Sequence, residues 1–246
     1  MATVAPSDIP TGPAIIPTII TMITIMITIT GTAMTTDLAL LRLIHWLSPV
    51  FPVGGYAYSG GLETAIAADK VGDEATLFDW LRHGLTAGSG RVDAVLLTTA
   101  MSPDADLTDL ADWARALAGP AERWQETWEQ GQAFARALSD IGEMDLHPAA
   151  LPVVVGAAAR SLGLPAAQVA ALYLQSMIAN LATGAVRHIP LGQSAGSRVI
   201  AGLGPVILSV AEEAPNLTPE AVFSGSFGAD LAQMRHETQD TRIFRT

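Results

Sequence analysis

The chain has 246 residues, a formal net charge of −11, 50% hydrophobic and 15% charged residues, and no cysteine; an ordinary soluble domain carries roughly 25% charged residues. The missing cysteine excludes disulfides, thiolate zinc sites, iron–sulfur clusters and cysteine nucleophiles. With 13 basic residues against 24 acidic ones, and Lys70 the only lysine, the chain also lacks the clustered positive charge a nucleic-acid surface needs. A mean hydropathy of +0.36 leaves two classes: a membrane protein, or a soluble chain that commits much of its surface to partners.

Residues 1–36 differ from everything after them. The run Ile15–Thr30 is almost wholly Ile, Thr and Met, and the first basic residue of the chain is Arg42. A secretory signal needs a positively charged start, which is missing. A bilayer span needs about 20 apolar residues, whereas this run is shorter, holds five threonines and is broken by Pro17. As a strand it would align Ile19, Ile23, Ile25, Ile27 and Ile29 on one sticky face. Residues 1–36 are therefore expected to be a low-complexity extension outside the fold, with Met34 the natural start. Removing residues 1–33, whose one charged residue is Asp8, leaves a net charge of −10 and the same conclusions.

From Asp37 onward the punctuation is helical. Asp37 is placed to cap a helix in which Leu38, Leu41, Ile44 and His45 recur at helical spacing and which stops before Pro49. A short loop, Ser48–Ser59, follows. Helices are then predicted at Gly60–Asp69, Glu74–Ala87, Val92–Ala100, Leu107–Leu117, Ala121–Ile141, Val153–Ser161, Ala166–His188 and Ser194–Ala211, separated by Gly or Pro. No stretch after Met34 alternates with period two, so residues 37–227 read as one all-α domain, a helical bundle without repeats. The uncharged stretch Ser161–Val186 invites a membrane reading. Its polar residues Gln168, Gln175, Ser176, Asn180 and Thr183 form one stripe of about 140°, however, which suits a buried central helix facing a cavity or partner. No membrane insertion is expected.

Three kinds of site come into question. Gly54, Gly55, Gly60 and Gly61 flank the first loop, but the lysine of a phosphate-binding loop is missing, so they read as turn and packing glycines. His45, His83, His147, His188 and His236 include no pair at i+3 or i+4, so no metal site is visible. Gly192–Gly196 matches GxSxG, and Ser194, Asp230 and His236 follow the chain order of a serine-hydrolase triad. That elbow needs a strand before the serine; here a helix ending at Pro190 precedes it, and Ser194 suits a helix N-cap better. The tail from 228 to 246 is formally neutral on an acidic protein and mixes Arg235, Arg242 and Arg245 with Ile243 and Phe244 without a clear helical period. Such a segment suits docking, with ordering on partner binding.

Four blocks in order give the chain a resemblance. LLRLIHWLSPVFPVGGYAYSGGLE (Leu40–Glu63), then Trp80, Leu81 and Leu85 followed by Asp93, then NLATGAVRHIPLGQ (Asn180–Gln193), then DLAQMRHETQDTRIFR (Asp230–Arg245) are similar to the blocks of the UreF family of urease accessory proteins. Residues 1–36 have no counterpart there. The resemblance implies an all-helical, cytoplasmic homodimer with no catalysis of its own and no tightly bound cofactor. Its partners would be the accessory protein UreD (also called UreH), the GTPase UreG and apo-urease. The complex as a whole would handle nickel and support carbamylation of the urease active-site lysine. By position, the resemblance assigns Tyr58, Ser59 and Glu63 to a dimer or UreG-facing surface. It places Arg187 and Gln193 in a block whose polar atoms either line an internal ion path or order the turn. It assigns Arg235, His236, Glu237, Gln239, Arg242 and Phe244 to ordering against UreD.

Overall fold

The structure, a computed structural model, describes residues 38–245. The expectations for the extension 1–36, for Met34 and for an Asp37 cap fall outside those residues. Among the described residues the regular elements are helices only. The first, α1, covers residues 38–46. It is followed by α2 (Leu62–Ala67), α3 (Glu74–Ala87), α4 (Ser89–Ala100), α5 (Leu107–Leu117), α6 (Ala121–Asp140), α7 (Leu151–Ala159), α8 (Ala166–Val186), α9 (Gln193–Glu213) and α10 (Phe227–His236).

The starts of these helices are chemically marked. Asp73 and Thr76 form a reciprocal capping box at α3, with Thr76 N–H donating to Asp73 Oδ1 over 2.8 Å and Asp73 N–H to Thr76 Oγ1 over 3.1 Å. Asp106 accepts from the N–H groups of Thr108 and Asp109 at α5. Pro152 lies in the first turn of α7, where its missing N–H costs nothing. At α9 the N-cap is Gly192, and Ser194 falls within the first turn without a capping bond, so its expected N-cap role is not realised.

The core is assembled around α4, which buries nearly all of its residues and packs against α3, α5, α7 and α8. The six-residue connection 187–192 sets α8 and α9 beside each other, and α9 also packs on α3. Close approach of α4, α6 and α7 depends on glycine. A Cβ at Gly131 of α6 would overlap the carbonyl of Ala149, and one at Gly156 of α7 would overlap the carbonyl of Leu97.

Two helices turn large apolar residues outward. On α1 the buried positions are Ala39, Leu43 and Trp46, while Leu38, Leu41 and Ile44 are exposed, Leu41 by 63%. The periodic face read from the sequence is thus the outer one. On α10, Ala232, Gln233 and His236 are buried. Phe227, Leu231 and Met234, at i, i+4 and i+7, are exposed, Phe227 by 78%. The inward stripe of α10 is therefore small or polar, and its apolar stripe is the one turned outward.

Gly131→Ala is expected to cost about 3 kcal/mol or more by overpacking. Gly72→Ala, with open space around the position, should stay within about 0.5 kcal/mol of wild type. Urea unfolding followed by circular dichroism checks the contrast.

Candidate functional site

The tail is seated across its own chain. At its centre is His236, the last residue of α10, with no exposed surface. Its Nδ1 lies 2.9 Å and 3.0 Å from the two carboxylate oxygens of Glu122 at the start of α6, and its Nε2 lies 3.1 Å from Glu63 Oε2 on α2. Each carboxylate then reaches the tail. Glu63 accepts the backbone N–H of Ile243 over 2.8 Å, that of Phe244 over 2.9 Å and the amide of Gln239 over 3.3 Å. Glu122 accepts from Arg242 Nη1 at 3.2 Å. Each ring nitrogen of His236 thus faces one carboxylate, and Arg242 brings a charged donor to Glu122. Burial alone would push the Glu63 carboxyl up, but the two backbone donors and His236 outweigh it and hold it below the ordinary carboxylate range.

Further pins extend this seat. Arg242 Nε donates to the Gln239 carbonyl, and its Nη2 to that of Glu237. The Phe244 ring lies 5.1 Å edge-on from His188, in a small pocket also lined by Leu62, Ile66, Leu181 and Gly184. Arg245 donates its backbone N–H to the Ala57 carbonyl over 2.8 Å and pairs with Glu129 at 3.2 Å. Glu129 also accepts the Tyr58 hydroxyl over 2.6 Å. Burial, then the Glu129 carboxylate, drives the Tyr58 hydroxyl well above its ordinary pKa; the bond from Tyr58 holds Glu129 down.

Beside the seat lies a cavity of about 120 Å³ between the loop 47–60 and helices α3, α6, α8 and α10. Trp46, Phe51, Trp80 and Phe134 give it apolar walls, and Asp93, Arg123 and Glu126 a charged floor. Arg123 Nη2 donates to both Asp93 oxygens at 2.6–2.7 Å, and Tyr173 donates its hydroxyl to Asp93 Oδ2 over 2.8 Å. Glu126 lies 3.4 Å from Arg123 and accepts from Gln130; burial raises its pKa above the ordinary carboxylate value. Of the α8 polar stripe, Ser176 and Asn180 line this cavity, whereas Thr183 is exposed.

The residues singled out from the sequence divide accordingly. Glu63, His236, Gln239, Arg242 and Phe244 come together in one network. Tyr58, Ser59 and Glu63 are buried and not displayed on a surface; α6 takes the Tyr58 hydroxyl and the tail engages the Glu63 carboxylate. Arg235 and Glu237 are exposed at the end of α10. Arg187 and Gln193 are exposed and do not line the cavity, so an internal path through them is not what the fold builds. The hydrolase constellation is not assembled either. Both His236 nitrogens face Glu63 and Glu122, Asp230 accepts from Ser224 over 2.8 Å, and a helix, not a strand, precedes the Ser194 turn. Sequence reading missed Glu122, Glu129 and the Asp93–Arg123–Glu126 floor. Their signal was a polar stripe on α6, Arg123, Glu126 and Gln130, on the same side as the core residues Thr127 and Phe134.

Among the described residues no group of three or more His, Asp or Glu is arranged to hold a metal ion; the two carboxylates beside His236 approach opposite ring nitrogens. The chain spends much of its polar chemistry inside its own fold and turns phenylalanine and leucine outward. A profile of the UreF family matches residues 71–204. The urease accessory protein UreF of Jannaschia sp. (strain CCS1) is 50% identical over 207 residues, covering 84% of this chain and 94% of that protein. The UreF proteins of Cereibacter sphaeroides (strain KD131 / KCTC 12085) and Paracoccus denitrificans (strain Pd 1222) are 49% and 46% identical over 208 and 215 residues, 85% and 87% of this chain and 99% and 100% of theirs. The chain belongs to the UreF family of urease accessory proteins.

Replacing Glu63 by Gln is expected to cost about 3 kcal/mol at neutral pH, the scale for removing one partner of a buried charged network. Because the folded-state pKa of Glu63 is lowered, its contribution is full above the ordinary value of about 4.3 and is lost as pH falls through the lowered value. The stability difference between wild type and Glu63→Gln, measured by urea unfolding across pH, should therefore narrow on acidification. A difference independent of pH would contradict the assignment.

Proposed function

We propose that this protein is a non-catalytic scaffold of urease maturation, binding UreD/UreH, recruiting the UreG GTPase and assisting delivery of nickel to apo-urease. The observation that carries this reading, beside the family, is the outward stripe of Phe227, Leu231 and Met234 on α10, continued by Phe223 and by Ile243 of the tail, all exposed. An apolar face of this kind on a helix is a docking surface, and Arg235 and Glu237 at its end supply a polar rim. The tail residues that pin this helix, His236, Gln239, Arg242 and Phe244, shape the UreD/UreH face from beneath. The outer face of α1, with Leu38, Leu41 and Ile44, leaves room for another neighbour, including a second copy in a homodimer.

Nickel is cargo in this reading, handled by the complex and not held here as a cofactor. Arg123 largely neutralises the carboxylates of the cavity floor, which makes the floor a poor resting place for a divalent cation. The working compartment is the cytoplasm. Two helices, Ala166–Val186 and Gln193–Asn216, are long and apolar enough to cross a membrane by length and composition. The second, however, carries the exposed pairs Arg198–Glu74 at 2.6 Å and Arg91–Glu213 at 2.7 Å on its flank, which suits water.

The test is urease activation in a reconstituted maturation system, together with co-purification with UreD/UreH. The double variant Phe227→Asp/Leu231→Asp alters only exposed side chains of α10. It should keep the helical circular dichroism spectrum and lose at least about tenfold in UreD/UreH affinity, the scale of removing a hot-spot anchor, with a matching loss of activation. Full binding and activation by this variant would refute the α10 assignment. Activation that proceeds equally without the protein would refute the scaffold role.

A further inference from the structure

We propose that the cavity of about 120 Å³ is a binding site for a small neutral organic molecule of single-ring size, apolar over its faces and carrying an N–H or O–H group that donates to Gln233 Oε1. The volume sets the size, since a cavity on the order of 150 Å³ takes one benzene ring. The walls set the body of the guest. Trp46, Phe51, Trp80 and Phe134 all line the space and offer aromatic surface to a flat apolar molecule. The donor is set by Gln233 of α10. This side chain lines the cavity, is 5% exposed, and keeps an amide oxygen with no hydrogen-bond partner in the protein. An acceptor taken out of water and left unpaired is costly, so a donor carried in by a guest meets a site that is already desolvated.

The charges of the floor disfavour an ionic guest. Asp93 is engaged by Arg123 and Tyr173, and Glu126 by Arg123 and Gln130. An ion entering there would lose its hydration without finding an unpaired opposite charge. Room beside the floor is kept by Gly55, where a Cβ would come within 3.2 Å of Asn180 Nδ2 and 3.7 Å of Gln130 Oε1. These two amides are placed to meet a second polar atom of the guest, such as a ring nitrogen or a hydroxyl. Water suits the space less well, since an ordered water needs two or more polar partners and Phe51 and Phe134 supply none. The inference goes beyond the scaffold role and concerns the chain alone, so its test involves no partner.

Two ligands of equal shape separate the donor from the ring: 4-fluorophenol, with a hydroxyl, and 4-fluorotoluene, with a methyl in its place. Each is titrated into the full-length protein and followed by fluorine NMR. 4-Fluorophenol is expected to bind at millimolar concentration or below. Gln233→Met keeps a side chain of similar length and removes the amide oxygen; the ratio of phenol to toluene affinity should fall about tenfold or more, the scale of a hydrogen bond to a buried acceptor. Gly84 of α3 lines the cavity and has open space where its Cβ would stand. Gly84→Leu should therefore keep the helical circular dichroism spectrum and weaken both ligands at least about tenfold by filling the space. Failure of 4-fluorophenol to bind the wild-type protein overturns the proposal. An unchanged ratio in Gln233→Met removes the donor assignment, and undiminished binding by Gly84→Leu places the ligands outside the cavity; either result overturns it as well. Should Gln233→Met not fold, Gly84→Leu alone decides the site.

Discussion

One buried imidazole ties together the parts of this protein that the main core does not. His236 stands between Glu63 of α2 and Glu122 of α6, and those carboxylates hold Ile243, Phe244 and Arg242 of the tail. Isolated, any of these groups would carry a large desolvation cost; together the donors and acceptors satisfy one another, and removing one strands the others. The position of the tail and the outward aim of α10 follow from this cluster.

Polar and apolar chemistry are distributed in an unusual way as a consequence. The inside of α6 and α10 is polar, with Glu122, Arg123, Gln130, Gln233 and His236 all buried. The outside of α1 and α10 carries leucine, isoleucine, phenylalanine and methionine. The low charge content of the sequence thus has a structural destination. Part of the missing surface charge is replaced by exposed apolar residues, and several of the charges present are consumed within the fold. Both features sit in one fold: a polar interior that fixes α6 against α10, and apolar residues on the outer faces of α1 and α10.

The helical fold was legible because helix starts and stops are local. Asp106 before α5, Gly88 between α3 and α4, and Pro120 before α6 punctuate the chain where the helices begin and end. The family was legible because its blocks are contiguous runs. Which face of a helix points inward was not local information. Leu38, Leu41 and Ile44 form a valid apolar stripe, but Ala39, Leu43 and Trp46 form another on the same helix, and only contact with the rest of the chain selects the second. The burial of Tyr58 and Glu63 was hidden for a related reason: Tyr58 meets Glu129, 71 positions away on α6, and Glu63 meets Ile243, 180 positions away in the tail. Arg187 and Gln193, polar residues in a recognisable block, were natural candidates for an internal path, yet the turn leaves them in solvent while their neighbour His188 receives Phe244.

The central claim is that the tail is seated on its own chain, whereas the sequence suggested ordering against a partner. Amide hydrogen exchange of the free, full-length protein at neutral pH tests it at the three backbone groups that make the seat. The account predicts that the amides of Ile243 and Phe244, bound to Glu63, and of Arg245, bound to the Ala57 carbonyl, exchange at least about a hundredfold more slowly than an unstructured peptide of the same sequence, since a seat worth about 3 kcal/mol gives protection of that order. Exchange of all three at the unstructured rate would contradict it.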